Sequence, residues 1–104
     1  MITAIVKIKI PDTLTLKQYE EHAKKIAGNF QSVPCLIRKN FLFNDVEGYA
    51  GGVYTWDNKD AAETFYAGQW LENIREKFRV EPEIVYFDTP LIVDNERGCI
   101  RVTS

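Results

Sequence analysis

Two side chains in this 104-residue sequence, His22 and Lys39, could move or hold a proton in a pocket. His22, the single histidine, follows Tyr19 by about one turn on the flank of a helix's apolar face. Imidazole normally titrates near pH 7, so His22 is the candidate general base, although a flanking histidine can equally be a half-exposed spacer. Lys39 lies in an apolar strand pattern. Its ammonium would hold a phenolate or an oxyanion if it points into a pocket, and it needs no function if its tip lies in solvent.

The segment from Ala50 to Trp56 reads Ala-Gly-Gly-Val-Tyr-Thr-Trp, which places Tyr54 and Trp56 on one face of a strand. This aromatic pair could form a platform for a flat ligand, or it could pack as core beneath a helix. Two adjacent glycines in mid-strand indicate that something bulky lies over them: an aromatic side chain, a close helix or a ligand, with packing the commoner use. The predicted substrate-binding residues are Tyr19, Phe41, Gly52, Tyr54, Trp56, Phe65 and Trp70. Trp70, just after Gly68, either closes the pocket as a lid or covers a helix break.

No metal or phosphate motif accompanies these residues. Cys35 and Cys99 lie far apart, outside any CxxC spacing, and a single histidine cannot complete a Cys/His zinc set, so no metal site is predicted. Both cysteines are interpreted as reduced, half-buried apolar residues. The sequence has no glycine-rich phosphate loop and no nucleophile elbow.

Composition indicates one globular domain spanning residues 1–104. A net charge of −2 provides no basic field for a phosphate backbone, so nucleic acid is not an expected partner. The apolar runs are too short for a membrane span, and the N-terminus leads directly into a strand pattern rather than a signal peptide. We therefore expect no membrane partner and a cytoplasmic location.

The first half of the chain predicts a strand, a helix and a hairpin. Residues 2–10 alternate apolar and polar side chains, as in a strand with one buried face. Thr15 and Gln18 have the spacing of a capping box at the start of a helix. Residues 36–44 and 49–56 are expected to pair across an Asp-Val-Glu-Gly loop.

The second half predicts a broken helix and a last strand. Asp57 is the expected N-cap of the helix, which Gly68 interrupts. The last strand is expected at 83–89, continuing past Pro90 through 91–93 with an edge position or a bulge at the proline. About 95–104 remain as a C-terminal tail, which could pair with a partner chain or fray.

The resulting order, β-α-β-β-α-β, predicts an α+β, ferredoxin-like fold: a four-stranded antiparallel sheet with the helices on one face. The later strands are apolar on both alternating faces, whereas helices cover only one face. A second copy of the sheet would cover the other, so we predict a homodimer.

One set of residues, within roughly residues 2–93, forms a pattern that a known family shares: Pro34, Lys39, Ala50-Gly51-Gly52-Val53-Tyr54, Asp57, Phe87-Asp88 and Pro90-Leu91. In these residues the chain resembles the YdhR-type monooxygenases, members of the dimeric α+β barrel group that includes the antibiotic-biosynthesis monooxygenases.

The resemblance implies a cofactor-independent monooxygenase that oxidises a small aromatic or quinol-like substrate with O2, using neither metal nor flavin. His22 would then be the base, Lys39 the anion stabiliser, and Tyr54 with Trp56 the platform for the small aromatic ligand. Haem degradation is not expected, because the histidine of the haem-degrading branch is missing from the second helical region. The alternatives are a non-catalytic module that binds a small hydrophobic ligand, and a dimeric scaffold whose pocket is filled.

Overall fold

The computed structural model describes residues 1–103 and has the predicted order of strands and helices, followed by a further hairpin. The strands are β1 (Ile2–Lys9), β2 (Leu36–Asn44), β3 (Tyr49–Trp56), β4 (Glu83–Asp88), β5 (Leu91–Asp94) and β6 (Cys99–Val102). The helices are α1 (Leu16–Ile26), α2 (Lys59–Tyr66) and α3 (Gln69–Phe78), and a 3₁₀ turn over Ala27–Phe30 extends α1. The prediction of an α+β, ferredoxin-like fold is confirmed.

The main sheet has the strand order β2-β3-β1-β4, and every neighbouring pair is antiparallel. Alternation puts one set of side chains beneath the helices, because successive residues of a strand face opposite sides. The buried core on that side consists of Ala4, Val6, Ile8, Tyr54, Trp56, Ala62, Tyr66 and Trp70. Within the described chain, the other face of the sheet carries no helix.

Among residues 1–103, none of the helices has the length and apolar character that a membrane-spanning helix needs.

The capping box predicted for α1 is present. The Gln18 backbone N–H donates to Thr15 Oγ1 at 3.1 Å, and the Thr15 N–H donates to Gln18 Oε1 at 3.0 Å. The paired bonds satisfy two backbone donors that a helix start leaves free. They fix the first turn of α1, which carries Tyr19 onto the sheet.

The two glycines of β3 have different reasons to lack a side chain. A Cβ at Gly51, where φ is +152°, would lie 1.9 Å from the Val6 carbonyl oxygen of the neighbouring strand. A Cβ at Gly52 would lie 2.9 Å from the Asn40 carbonyl oxygen, 3.1 Å from the Tyr54 ring and 3.3 Å from Lys39 Cε. The bulk over Gly51 is therefore the backbone of β1, and Gly52 leaves room for the stem of the lysine.

Helix α2 begins later than the sequence pattern predicted. Asn58, not Asp57, is its N-cap, and Asn58 Oδ1 accepts a hydrogen bond from the Ala61 N–H at 2.8 Å. Both residue types suit a cap, and their adjacency makes the sequence signal ambiguous by one position.

The C-terminal segment is a hairpin rather than a strand extension and a tail. Strand β4 ends at Asp88, and β5 pairs with β6 in a separate two-stranded sheet. Pro90 has no N–H to continue the ladder, while the Thr89 N–H donates to the Met1 carbonyl oxygen at 3.0 Å. The turn is closed by Asp94, whose Oδ1 accepts from the Arg97 N–H at 3.1 Å. Ser104, the last residue of the predicted tail, lies outside the described residues.

Candidate functional site

A cavity of about 270 Å³ lies beneath α1 and α3, against the helix-covered face of the sheet. It brings together most of the residues that the sequence singled out: Tyr19, His22, Lys39, Phe41, Tyr54, Phe65 and Trp70. Ligand pockets usually have volumes of about 300 to 1,000 Å³, so this cavity suits a small molecule of one or two rings.

Lys39 points into the cavity from β2. It is paired with Tyr54 of β3 and lies on the strand face that carries Phe41 inward. Its Nζ lies 3.6 Å from the centroid of the Phe30 ring, 3.8 Å from that of Phe41 and 4.8 Å from that of Tyr54. None of the ion pairs formed within residues 1–103 involves Lys39. Three ring faces, rather than a carboxylate, thus surround its charge.

The surroundings of Lys39 act on its protonation in opposite directions. Burial disfavours the ammonium and lowers the pKa of Lys39 from 10.5 to about 7. The ring faces attract a cation and so oppose part of that shift. Near neutral pH the side chain therefore exists as both ammonium and free amine, and it can hold an anion in one form and accept a proton in the other.

His22 lines the same cavity from α1 and is half-buried. Burial lowers the pKa of its imidazole, and the positive charges of Lys77, Lys25 and Lys39 lower that pKa further. The ring is consequently neutral at pH 7 and can accept a proton from a ligand. The role of His22 as a general base stays a prediction.

Tyr19 forms part of the wall. Its hydroxyl donates to the Gly51 carbonyl oxygen at 3.0 Å, and its ring stacks on Phe43 with centroids 5.3 Å apart. Burial raises the pKa of Tyr19, so the hydroxyl stays protonated at neutral pH. Its bond to Gly51 holds α1 against β3 and sets one side of the cavity.

Tyr54 and Trp56 of β3 lie in different surroundings. Tyr54 lines the cavity, and burial raises the pKa of its hydroxyl well above the usual value. Trp56 is fully buried and is not among the lining residues; its indole N–H donates to the Tyr66 hydroxyl at 3.2 Å. The Trp56 ring lies parallel to that of Tyr54, with centroids 6.2 Å apart. Trp56 is thus in the core and supports Tyr54 from behind.

Gly52, another predicted contact residue, is also absent from the lining, whereas its neighbour Gly51 is present. The stem of Lys39 covers Gly52 instead. Trp70 follows the helix break at Gly68, lines the cavity and is nearly buried, with its ring centroid 4.8 Å from that of Tyr66. Its ring forms part of the cavity wall and packs on Tyr66 of α2.

Several lining residues were not predicted from the sequence as part of the site: Asn29, Phe30, Gln69, Asn73, Lys77 and Phe78. Phe30 is the most important of them, because it provides the ring closest to Lys39 Nζ. It ends the apolar periodicity of the first helix, and that pattern could have identified it as inward-facing. The tightening of α1 into a 3₁₀ turn, which brings Phe30 over β2, has no comparable signal.

The charge around the site is positive. The lining of the cavity includes Lys39 and Lys77 and, within the part of the chain that the structure describes, no carboxylate. A more open groove of about 770 Å³ adjoins the cavity and shares Tyr19, His22, Lys77 and Phe78 with it. That groove adds Lys9 and again no acidic side chain among residues 1–103. An acidic ligand would be favoured here even though the net charge of the protein is −2.

The site has few groups that could serve a metal ion. No group of three or more His, Cys, Asp or Glu side chains close enough to hold a metal occurs among residues 1–103.

Solved structures of low sequence identity share this fold. A mutant of MhuD with two manganese protoporphyrin IX molecules bound per active site has a TM-score of 0.66 and 16% identity, covering 90% of this chain and 99% of that chain. An antibiotic biosynthesis monooxygenase has a TM-score of 0.56 and 16% identity, over 86% of this chain and 98% of that chain. A mutant of SnoaB, a cofactor-independent oxygenase from Streptomyces nogalater, has a TM-score of 0.60 and 16% identity, covering 85% of this chain and 91% of that chain.

At these identities the three structures establish a common fold and no more. A comparison with curated protein sequences finds no significant match. The sequence pattern of one family, described as "Putative mono-oxygenase ydhR", matches residues 5–85 of the 104. The chain therefore belongs to this mono-oxygenase family.

Proposed function

We propose that this protein is a cofactor-independent monooxygenase that oxidises a small, weakly acidic aromatic, such as a naphthol or a quinol, with molecular oxygen. The observation that carries the proposal is the position of Lys39, whose charge faces an aromatic cavity with no carboxylate partner in residues 1–103. A phenolate would supply the missing counter-ion. Its flat ring would contact Phe41, Phe65 and Tyr54.

In the first step, neutral His22 takes the proton of the substrate hydroxyl, and charged Lys39 holds the resulting phenolate. The apolar walls favour this close ion pair, because electrostatic attraction is stronger where water is excluded. The phenolate is the electron-rich form of the substrate, and its negative charge extends onto the ring carbons that react with O2.

The second step forms a bond between one ring carbon and one oxygen atom of O2. The ring hydroperoxide that results then loses water and leaves a carbonyl at that carbon. One oxygen atom of O2 enters the product and the other leaves as water, and the substrate provides all four electrons. A naphthol and O2 thus give a naphthoquinone and water, with no outside reductant.

The test is oxygen uptake by the purified protein with a panel of naphthols and hydroquinones, combined with mass analysis of products formed under ¹⁸O2. Saturable uptake and one ¹⁸O atom per quinone are expected. Lys39→Met and His22→Gln should each lower kcat/KM by about 100-fold, within the usual range for loss of a charge-stabilising or acid–base group. Lys7→Met is the matched control, because Lys7 contacts the Tyr49 ring on the outer face of the sheet.

The pH dependence tests the assigned protonation states. Since kcat/KM reports the free enzyme, it should fall above about pH 7 as Lys39 loses its proton. Lys39→Arg should remove that fall, because guanidinium stays charged throughout. Melting shifts on ligand addition without oxygen uptake would instead support a non-catalytic module for small hydrophobic ligands.

We also propose that the protein is a homodimer in which two sheets pack through their helix-free faces. On that face Leu42, Val85 and Phe87 are 42%, 52% and 51% exposed. Such a patch of large apolar side chains is typical of an interface, and a second copy offers a matching surface. The free thiols of Cys35 and Cys99 suit a reducing compartment, and we propose the cytoplasm.

A further inference from the structure

Lys39 has the surroundings of a nucleophile as well as those of an anion-binding group. Its Nζ lines the cavity, lies against the rings of Phe30 and Phe41, and forms no ion pair within the described chain. A carboxylate partner would stabilise the protonated ammonium and leave no lone pair for attack, and within the described chain Lys39 has no such partner. Burial, which lowers the pKa of Lys39 to about 7, leaves much of the side chain as free amine at neutral pH.

The aromatic rings around Lys39 Nζ, those of Phe30, Phe41 and Tyr54, also suit the cation that forms when an amine condenses with a carbonyl compound. A lysine ammonium is compact and strongly hydrated, so burying it is costly. A protonated imine conjugated to an aromatic ring spreads its charge and has a single N–H to solvate. The ring faces of Phe30, Phe41 and Tyr54 would stabilise this cation where they now surround the ammonium.

We propose that Lys39 captures small aromatic aldehydes in the cavity as a reversible imine. This activity goes beyond the oxidation proposed above and uses the same residue in its other protonation state. An aldehyde is favoured over a ketone, because the second substituent of a ketone would have to fit beside rings whose centroids lie 3.6 and 3.8 Å from Nζ. The aromatic lining and the volume of about 270 Å³ favour one or two rings.

The reaction needs no oxidant or co-reactant. The Nζ lone pair attacks the carbonyl carbon and forms a C–N bond, and the carbonyl oxygen becomes a hydroxyl by taking a proton from the nitrogen. This hydroxyl takes up a second proton and leaves as water while the nitrogen lone pair forms the C=N bond, which gives the protonated imine with its single N–H. The neutral imidazole of His22, which lines the same cavity, can carry these protons.

The test uses 2-naphthaldehyde with sodium cyanoborohydride, which reduces an imine to a stable secondary amine. Intact mass and peptide mapping should show one adduct, on Lys39, formed at least about tenfold faster than on any other lysine at pH 7.5. An ordinary lysine has a pKa near 10.4 and is about one part in a thousand neutral at that pH, which gives the expected advantage. The rate should rise between pH 6 and pH 8, opposite to the pH dependence proposed for oxidation.

Lys39→Arg should form no rapid adduct, whereas Lys7→Arg should react like the wild-type protein. In case Lys39→Arg alters folding, the wild-type protein provides a second measurement: 2-naphthol, which is similar in size to the aldehyde but has no carbonyl group, should compete for the cavity and protect Lys39. Labelling that is spread evenly over the lysines overturns the proposal. So does the lack of any adduct.

The two proposed activities can fail independently. Oxygen uptake without a Lys39 adduct would remove the imine and leave the monooxygenase proposal standing. A Lys39 adduct without oxygen uptake on the naphthol panel would do the reverse.

Discussion

At the scale of single residues, the main feature of the candidate site is Lys39, whose ammonium lies against the rings of Phe30, Phe41 and Tyr54. Burial of this side chain lowers the pKa of Lys39, and the pKa of His22 is lowered by burial, then by Lys77 and Lys25, and least by Lys39. The sequence indicated that Lys39 lies in an apolar strand. It could not show whether the ammonium points inward, because a lysine stem reaches solvent from many strand positions.

The buried lysine should leave a signature in the pH dependence of stability. Between pH 7 and pH 10 the unfolded chain binds a proton at Lys39 that the folded protein does not, since the folded pKa is about 7. The free energy of unfolding should therefore rise with pH across that window, by at most about 1.4 kcal/mol per pH unit from this group.

Urea denaturation of the wild-type protein and of Lys39→Met from pH 7 to pH 9.5 measures the effect. The difference between the two proteins should change with pH, and Lys7→Met should follow the wild-type protein. Parallel pH profiles for wild type and Lys39→Met would show that Lys39 is not buried as described.

At the scale of strands and helices, the sequence predicted the arrangement well wherever a local signal was strong. The capping box of α1, the hairpin of β2 and β3 and the break at Gly68 all have a short-range physical cause, and all are present. The cap of α2 was misplaced by one residue, because Asp57 and Asn58 are chemically alike. The C-terminal hairpin was missed because the last strand was expected to continue past Pro90, with an edge position or a bulge there, rather than to end before it.

The cavity was harder to predict than the elements that build it. Tyr54 and Trp56 share a strand face, so alternation cannot tell which one contacts a ligand. The distinction comes from α2, whose Tyr66 accepts the Trp56 indole N–H and covers the end of β3. Phe30 reaches Lys39 only because the chain tightens after α1. Both are side-chain contacts between different elements, and residue pattern alone does not contain them.

The close approach of β1 to β3 makes Gly51 indispensable. A methyl group there would lie 1.9 Å from the Val6 carbonyl oxygen, and φ is +152°. Gly51→Ala should lower the free energy of unfolding by at least about 2 kcal/mol, through backbone strain and displacement of β1.

Gly28→Ala is the matched control, since a methyl group at Gly28 would meet nothing within 4 Å. It should change the midpoint of urea denaturation little or raise it slightly. Should Gly51→Ala instead prove as stable as Gly28→Ala, the described packing of β1 on β3 would be incorrect.

At the scale of the whole molecule, the helix-free face of the sheet is the feature that one chain leaves unexplained. Phe87, at 51% exposure, lies on this face, away from the cavity. If the proposed homodimer forms through it, Phe87→Glu should produce monomers, because a carboxylate buried in an apolar interface has no partner. Sedimentation at several concentrations measures the change.

The exposed Leu16→Glu is a suitable comparison, because Leu16 is 60% exposed on α1, away from that face. It should remain dimeric. A wild-type protein that sediments as a monomer, or a dimer that survives Phe87→Glu, would contradict the proposed packing of the two sheets.

The most direct test of the central claim is oxygen uptake with a naphthol by the wild-type protein, Lys39→Met and Lys7→Met under ¹⁸O2. The proposed function predicts saturable uptake and one ¹⁸O atom per quinone for the wild-type and Lys7→Met proteins. Lys39→Met should lose about 100-fold in kcat/KM. Equal turnover in all three proteins would remove Lys39 from the reaction, and no turnover above the spontaneous rate with any acidic aromatic would contradict the monooxygenase proposal itself.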